Sequence, residues 1–135
     1  FDELKIGGYN LDVDLPETSI LVSIDISKFT RVYENLTNNF IKYNKSGKTM
    51  YCRIEYDERS VTIKIGDDGI GIPKKMKESI FEPFVMGEKS RGNGGSGLGL
   101  AMVNKIIQYH NGTVELVEKP EKGMKTEFAI RLLRL

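Results

Sequence analysis

The chain has 135 residues, 39% hydrophobic and 29% charged, with 20 Lys and Arg against 19 Asp and Glu for a net charge of +1. That length suits one domain with a core of its own, over residues 1–135. The even charge balance argues for neither nucleic acid nor an anionic membrane as a partner. A single cysteine, Cys52, excludes an intrachain disulfide and fits a reducing compartment. No apolar run reaches the ~18 residues of a membrane span.

Phe1 opens the sequence without an initiator Met or a signal-peptide pattern, so a segment of a longer protein is expected. In chain order, "NLDVDLP" (10–16) and "SILVSID" (19–25) alternate apolar and polar residues and predict two strands. Ser27 is placed to cap a helix start. "KFTRVYENLTNNFIKYN" (28–44) then carries Phe29, Val32, Tyr33, Leu36 and Phe40 at helical spacing. Asn35, Asn39 and Lys42 form a second stripe, i, i+4, i+7, about 90° from the first. The stripe borders the core, where two amides and an ammonium need partners. Taken alone, it reads as a polar helix shoulder or as the wall of a site.

After the turn "KSGK" come two strands, "TMYCRIEYD" (49–57) and "RSVTIKIGD" (59–67). Cys52 sits in the first, as a small packed side chain. "GDDGIGIP" (66–73) puts Asp67 directly at a strand end, followed by Gly69 and Gly71. Such glycines form a turn or let backbone pass close to a flat ligand. A strand-end carboxylate can accept from an exocyclic amine such as that of adenine. "KKMKESIFEPF" (74–84) makes at best a short helix.

"GEKSRGNGGSGLGL" (87–100) holds six of the 14 glycines and runs into "AMVNKIIQYH" (101–110). There Leu98, Met102, Ile106 and Ile107 share a helical face. Helix N-termini offer free N–H groups to phosphate, and Gly97 and Gly99 let that backbone come close. The spacing fits neither a Walker A loop nor a dinucleotide fingerprint. His110, Asn111 and Gly112 end the helix with a left-handed cap. "TVELVEK" (113–119) and "KTEFAIRLLRL" (125–135) are strands. No repeat is visible. The order predicts an α+β sandwich: one mixed, mostly antiparallel sheet with helices on one face.

The succession of "ENLTNNFIKY" (N box), "DDGIGIP" (first glycine box), "FEPF" (F box) and "GGSGLGL" (second glycine box) resembles the catalytic ATP-binding domain of sensor histidine kinases. These belong to the wider superfamily of gyrase, the Hsp90 chaperone and MutL. The resemblance covers essentially the whole chain and implies the Bergerat-type ATP-binding fold. It implies ATP and Mg²⁺ as cofactors, with Asn39 as the magnesium ligand and Asn35 and Lys42 facing the phosphates. These three are the implied catalytic set. Tyr43 would lie near adenine or ribose. Asp67 would accept from the adenine amine, joined by Thr126 through a water. Gly69, Gly71 and Ile72 would shape the pocket, and Gly97, Leu98, Gly99 and Leu100 would present helix N–H groups. Residues from about 73 to 96 resemble the ATP lid, with Lys89 and Arg91 as phosphate contacts and Phe81 and Phe84 as anchors.

Where ATPases of the superfamily place a water-activating Glu, this chain has Asn35, and Glu34 is turned about 100° away on the helix. The resemblance therefore implies transfer of the γ-phosphoryl group to a histidine on an upstream dimerisation hairpin, with a response regulator receiver domain next in line. It also implies a cytoplasmic domain that itself touches neither nucleic acid nor membrane, within a membrane-anchored protein. His110 reads as structural. Thr37, Phe40 and Asp68 depart from the family's usual Leu, small residue and Asn, and Asp68 adds negative charge near the phosphates. Two alternatives are a degenerate relative that regulates by protein contact with weak or no nucleotide binding, and an anti-sigma-type serine kinase.

Overall fold

Residue alternation with a period of two builds the centre of the sheet, and a period near 3.6 builds its cover. The computed structural model describes residues 8–44, 48–82, 99–120 and 123–135. Its elements are β1 (Asn10–Asp14), α1 (Ile26–Tyr43), β2 (Thr49–Tyr56), β3 (Ser60–Asp67), a 3-10 turn (Lys74–Met76), α2 (Gly99–Tyr109), β4 (Thr113–Leu116) and β5 (Thr126–Leu133). The strands lie in the order β1-β2-β3-β5-β4. β1 is parallel to β2 and the other neighbours are antiparallel. The sheet is thus mixed and mostly antiparallel, as expected.

The β3–β5 register pairs Val61 with Leu132, Ile63 with Ile130, Ile65 with Phe128 and Asp67 with Thr126. One face of both strands is therefore an apolar row that ends in two polar residues. Val32 and Leu36 of α1 and Val103, Ile106 and Ile107 of α2 join the same core cluster as that row, so both helices cover one face. Val103, Ile107 and Ile130 are at most 1% exposed. Each such side chain contributes roughly 1.5–3 kcal/mol by leaving water. Among the described residues no helix is long and apolar enough to cross a membrane.

Four expectations are corrected. Residues 19–25 form no strand: their backbone takes Leu135 N–H on Leu21 O at 2.9 Å, outside any ladder. Ile20 and Val22 pack on the core while Leu21 faces out. The alternation therefore reports one-sided burial of a covering segment and not strand pairing. The helix cap is Asp25, not Ser27. Asp25 Oδ1 accepts from Lys28 N–H at 3.2 Å and from the Ser27 hydroxyl at 2.7 Å. On α2, Met102 is 39% exposed and the buried face is Val103, Ile106 and Ile107. The helix is rolled so that Met102 flanks α1. β4 also ends earlier than expected, at Leu116, although Val117 N–H still bonds Glu127 O at 2.8 Å.

The departures at 37 and 40 are both buried. Phe40 is buried with Met50 beside Tyr9, Leu11 and Ile41, its ring edge-on to Tyr9 at 5.0 Å. Thr37 is 3% exposed, and its hydroxyl has no hydrogen-bond partner among the described residues. Cys52 is half-buried, and burial pushes its thiol up, which suits a packed side chain and not a nucleophile.

Candidate functional site

α1 and α2 run antiparallel. His110, just past the end of α2, meets the start of α1: its Nε2 accepts from Asp25 N–H at 2.9 Å. The Nδ1 atom lies 2.7 Å from Ile106 O, so the ring is the neutral tautomer that donates from Nδ1. At the other end, Gly99 opens α2 against Asn35, more than two turns into α1. The Asn35 Nδ2 atom lies 3.7 Å from Met102 Sδ, and a Cβ added at Gly99 would come within 3.3 Å of Asn35 Oδ1. Beyond that point α1 continues past the start of α2 through Asn39 and Lys42. With 1.5 Å per residue, the stretch from Asn35 to Asn44 spans about 13 Å.

At the far end of that stretch lies the loop after β3. Asp67 stands between Met50 of β2 and Thr126 of β5 on the helix-covered face. Thr126 is 7% exposed and Asp67 half-buried. Removal from water pushes the Asp67 carboxyl up to about 6; the Gly69 N–H, 2.9 Å from Oδ1, opposes the shift and the Asp68 charge adds to it. Lys125 N–H donates to Asp67 O at 2.7 Å, so the main chain is pinned as well.

Asp68 is held by the start of β2. Its Oδ1 accepts from Thr49 N–H at 2.8 Å, and its own N–H reaches Thr49 O at 3.3 Å. The side chain is committed to the start of β2. Gly71 has φ +77°, a conformation that disfavours any side chain, and lies beside Lys125.

The remaining expected site residues divide into those that converge and those outside the description. Asn35, Asn39 and Lys42 are all half-buried, as a stripe bordering the core should be, whereas Glu34 is exposed. Ile72 and Leu100 pack partly buried against the core. Phe81 does too, its ring 6.0 Å from Phe128 and edge-on. Ile80, which the sequence reading passed over, is buried beside it. The side chain of Tyr43, and Phe84, Lys89, Arg91, Gly97 and Leu98 with the rest of the glycine cluster before Gly99, lie outside the described residues.

Asn44 and Tyr9 were not singled out from sequence. Asn44 Nδ2 donates to Phe40 O at 2.9 Å and its Oδ1 accepts from Ile70 N–H at 3.1 Å. The Tyr9 hydroxyl donates to Asn44 O at 2.7 Å, with Ile41 O a second acceptor at 3.3 Å. The one available signal was an Asn at the end of a helical period.

The arrangement is therefore a row of polar groups along α1. One end has a desolvated hydrogen-bond acceptor, the middle has amides and an ammonium, and the other end has a glycine-opened helix N-terminus whose first N–H groups lack intrahelical partners. A donor-bearing flat group at one end and an anion at the other would suit it, as in a nucleotide.

The sequence pattern of the family described as "Histidine kinase-, DNA gyrase B-, and HSP90-like ATPase" matches residues 24–134. The chain is 30% identical over 137 residues to the sensor histidine kinase YcbM of Bacillus subtilis, covering all of this chain and 43% of that one. It is 38% identical over 119 residues to the sensor histidine kinase YclK of the same organism, covering 86% of this chain and 24% of that one. The chain thus spans less than half the length of these relatives. Among solved structures, the mycobacterial sensor histidine kinase MprB superposes with a TM-score of 0.82 at 27% identity, covering 97% of this chain and 88% of that chain.

Proposed function

This chain belongs to the histidine kinase-, DNA gyrase B- and HSP90-like ATPase family, and on that premise we propose that it is the catalytic ATP-binding domain of a sensor histidine kinase. The observation that carries the reading is the polar row along α1, with Asp67 and Thr126 at one end and the Asn35–Gly99 contact at the other. Asp67 Oδ2 is the carboxylate oxygen that the Gly69 turn leaves for an adenine amine, since Gly69 N–H occupies Oδ1. Thr126 supplies a hydroxyl beside it. Asn39 and Lys42 meet the phosphates, and the first-turn N–H groups of α2 complete the grip.

The residues present fit a magnesium nucleotide. Among the described residues no group of three or more His, Cys, Asp and Glu gathers to hold a metal. Amide oxygens on α1 suit a hard ion whose other ligands are phosphate oxygens and water, with Asn39 as the protein ligand. Bound there, magnesium would supply charge neutralisation for phosphoryl transfer.

Transfer then needs a nucleophile in line with the γ-phosphorus. Asn35 is no base and its amide is turned to α2, while Glu34 faces solvent. Both nitrogens of His110 are engaged at the far end of α2. The acceptor is a histidine on a dimerisation hairpin upstream in the full protein. A response regulator receiver domain receives the group next, and the whole protein is membrane-anchored with this domain in the cytoplasm. Residues from about 73 to 96 act as a lid, anchored through Phe81.

Calorimetric titration tests the reading. ATP should bind more tightly than GTP, whose carbonyl oxygen would face Asp67 unmatched, by about tenfold or more. Asn39→Ala should abolish the gain in ATP affinity on adding Mg²⁺ while leaving metal-free ADP binding intact. Equal affinity for ATP and GTP, or an Asn39→Ala protein with the full metal effect, overturns the corresponding assignment.

A further inference from the structure

We infer that Asn44 is a positioning residue of the adenine pocket, fastening the glycine loop after β3 to the end of α1. Asn44 is the C-cap of α1, with φ −127° and ψ 148°, so the chain has left the helix and the side chain is free to turn back. Its carboxamide donates to Phe40 O, one of the last helix carbonyls, and accepts from Ile70 N–H in the loop. Only a side chain with a donor and an acceptor on one short stem can join the two elements in this way. An aspartate would lose the donor, and an apolar residue would lose both. Tyr9 steadies the latch from the other side, its hydroxyl on Asn44 O and its ring on Phe40.

The same contact explains Gly69. A Cβ built there would be driven into the Asn44 carboxamide, whereas φ at Gly69 is not among the positive values. A side chain at 69 is thus compatible with the fold only if the Asn44 carboxamide gives up its place against the loop. Two consecutive loop amides are then fixed: Gly69 N–H on Asp67 Oδ1 and Ile70 N–H on Asn44 Oδ1. Together they set which Asp67 oxygen is left for a ligand. Release of Asn44 frees the loop and with it the orientation of Asp67. Of the groups assigned to phosphate, Asn35 and Gly99 lie more than two helical turns away and Asn39 more than one, while Lys42 is held by the helix backbone of α1 and not by the Asn44 carboxamide. The expected signature is loss of base discrimination with phosphate affinity retained.

This inference rests on the reading of Asp67 as the adenine acceptor. The test measures ATP and GTP affinities of the unaltered chain, Asn44→Ala, Tyr9→Phe and Gly69→Ala, the last with and without Asn44→Ala. Amide exchange at Ile70 is followed without nucleotide. Asn44→Ala should speed exchange at Ile70 and weaken ATP by about tenfold while GTP changes little, so that the ATP:GTP ratio falls. Tyr9→Phe, a gentler change that keeps the ring, should shift both readouts in the same direction by less. Gly69→Ala should impair ATP binding in the parent and much less beside Asn44→Ala. If the unaltered protein discriminates and Asn44→Ala discriminates as well, or loses ATP and GTP equally with only a lower melting temperature, the inference is overturned while the Asp67 assignment stands. If the unaltered protein binds ATP and GTP alike, the Asp67 assignment falls and the inference falls with it.

Discussion

Asp67 shows how one residue's surroundings set its chemistry. Desolvation raises its carboxyl from 3.8 to about 6, so the folded chain holds this proton more tightly than the unfolded chain. The stability it contributes is complete below about pH 4 and is lost as pH rises through about 6. Asp67→Asn, which can still accept from Gly69 N–H, should therefore melt above the parent at pH 7.5, with the gap closing toward pH 4; thermal melts at both pH values check this. An adenine amine donating to the ionised carboxylate would reverse the shift on binding. ATP affinity should then rise about tenfold from pH 5 to pH 7.5 and binding should release a proton below pH 6. The phosphates of the nucleotide titrate in the same range, so the difference between parent and Asp67→Asn in calorimetry isolates the carboxyl. A difference curve flat with pH would sink the assignment. At this scale the sequence named Asp67 and Thr126 but missed Asn44, because a helix-ending Asn has no distinguishing neighbours until the chain folds a loop against it.

Among the elements, α1 joins the two ends of the site, and its start is set by α2. Asp25 caps it through Oδ1 while His110 accepts the Asp25 N–H. The His110 ring also stands edge-on to Phe29 at 4.9 Å and to Tyr109 at 5.2 Å. His110→Ala orphans a backbone donor and empties that contact, so it should destabilise the domain by about 1–3 kcal/mol in denaturant unfolding. ATP affinity should stay unchanged, because the 11 residues of α2 put about 16 Å between His110 and Gly99. A large loss of affinity at undiminished stability would contradict a structural His110. The elements themselves were mostly legible. β2, β3, β5 and both helices follow from their hydrophobic periods, and the left-handed cap falls at Asn111, with φ 58°. The segment at 19–25 was misread because a covering strip with one dry side has the same alternation as a strand. The roll of α2 was misread because Met102 and Val103 are both apolar and one position apart.

At the scale of the whole chain, the proposed site grips a nucleotide and, among the described residues, brings no nucleophile to it. Incubated alone with γ-labelled ATP, it should release phosphate slowly and carry no phosphohistidine. Supplied with its own upstream hairpin, it should label that partner's histidine. Stable label on His110 would make that residue the acceptor and overturn its structural role, and fast phosphate release that survives Asn35→Ala would place water activation on another group.

By itself the sequence determined the family, through the order and spacing of four short motifs. It also determined the fold class, through periods that each element must satisfy locally. The tertiary structure alone decided what each site residue touches. Asp68 belongs to the start of β2, Gly69 answers to Asn44, and Asn35 packs on α2. These contacts join residues 19, 25 and 67 positions apart. Local propensity and periodicity reach only a few residues along the chain, whereas partners at such separations are chosen by the sheet register and by how the helices seat on it.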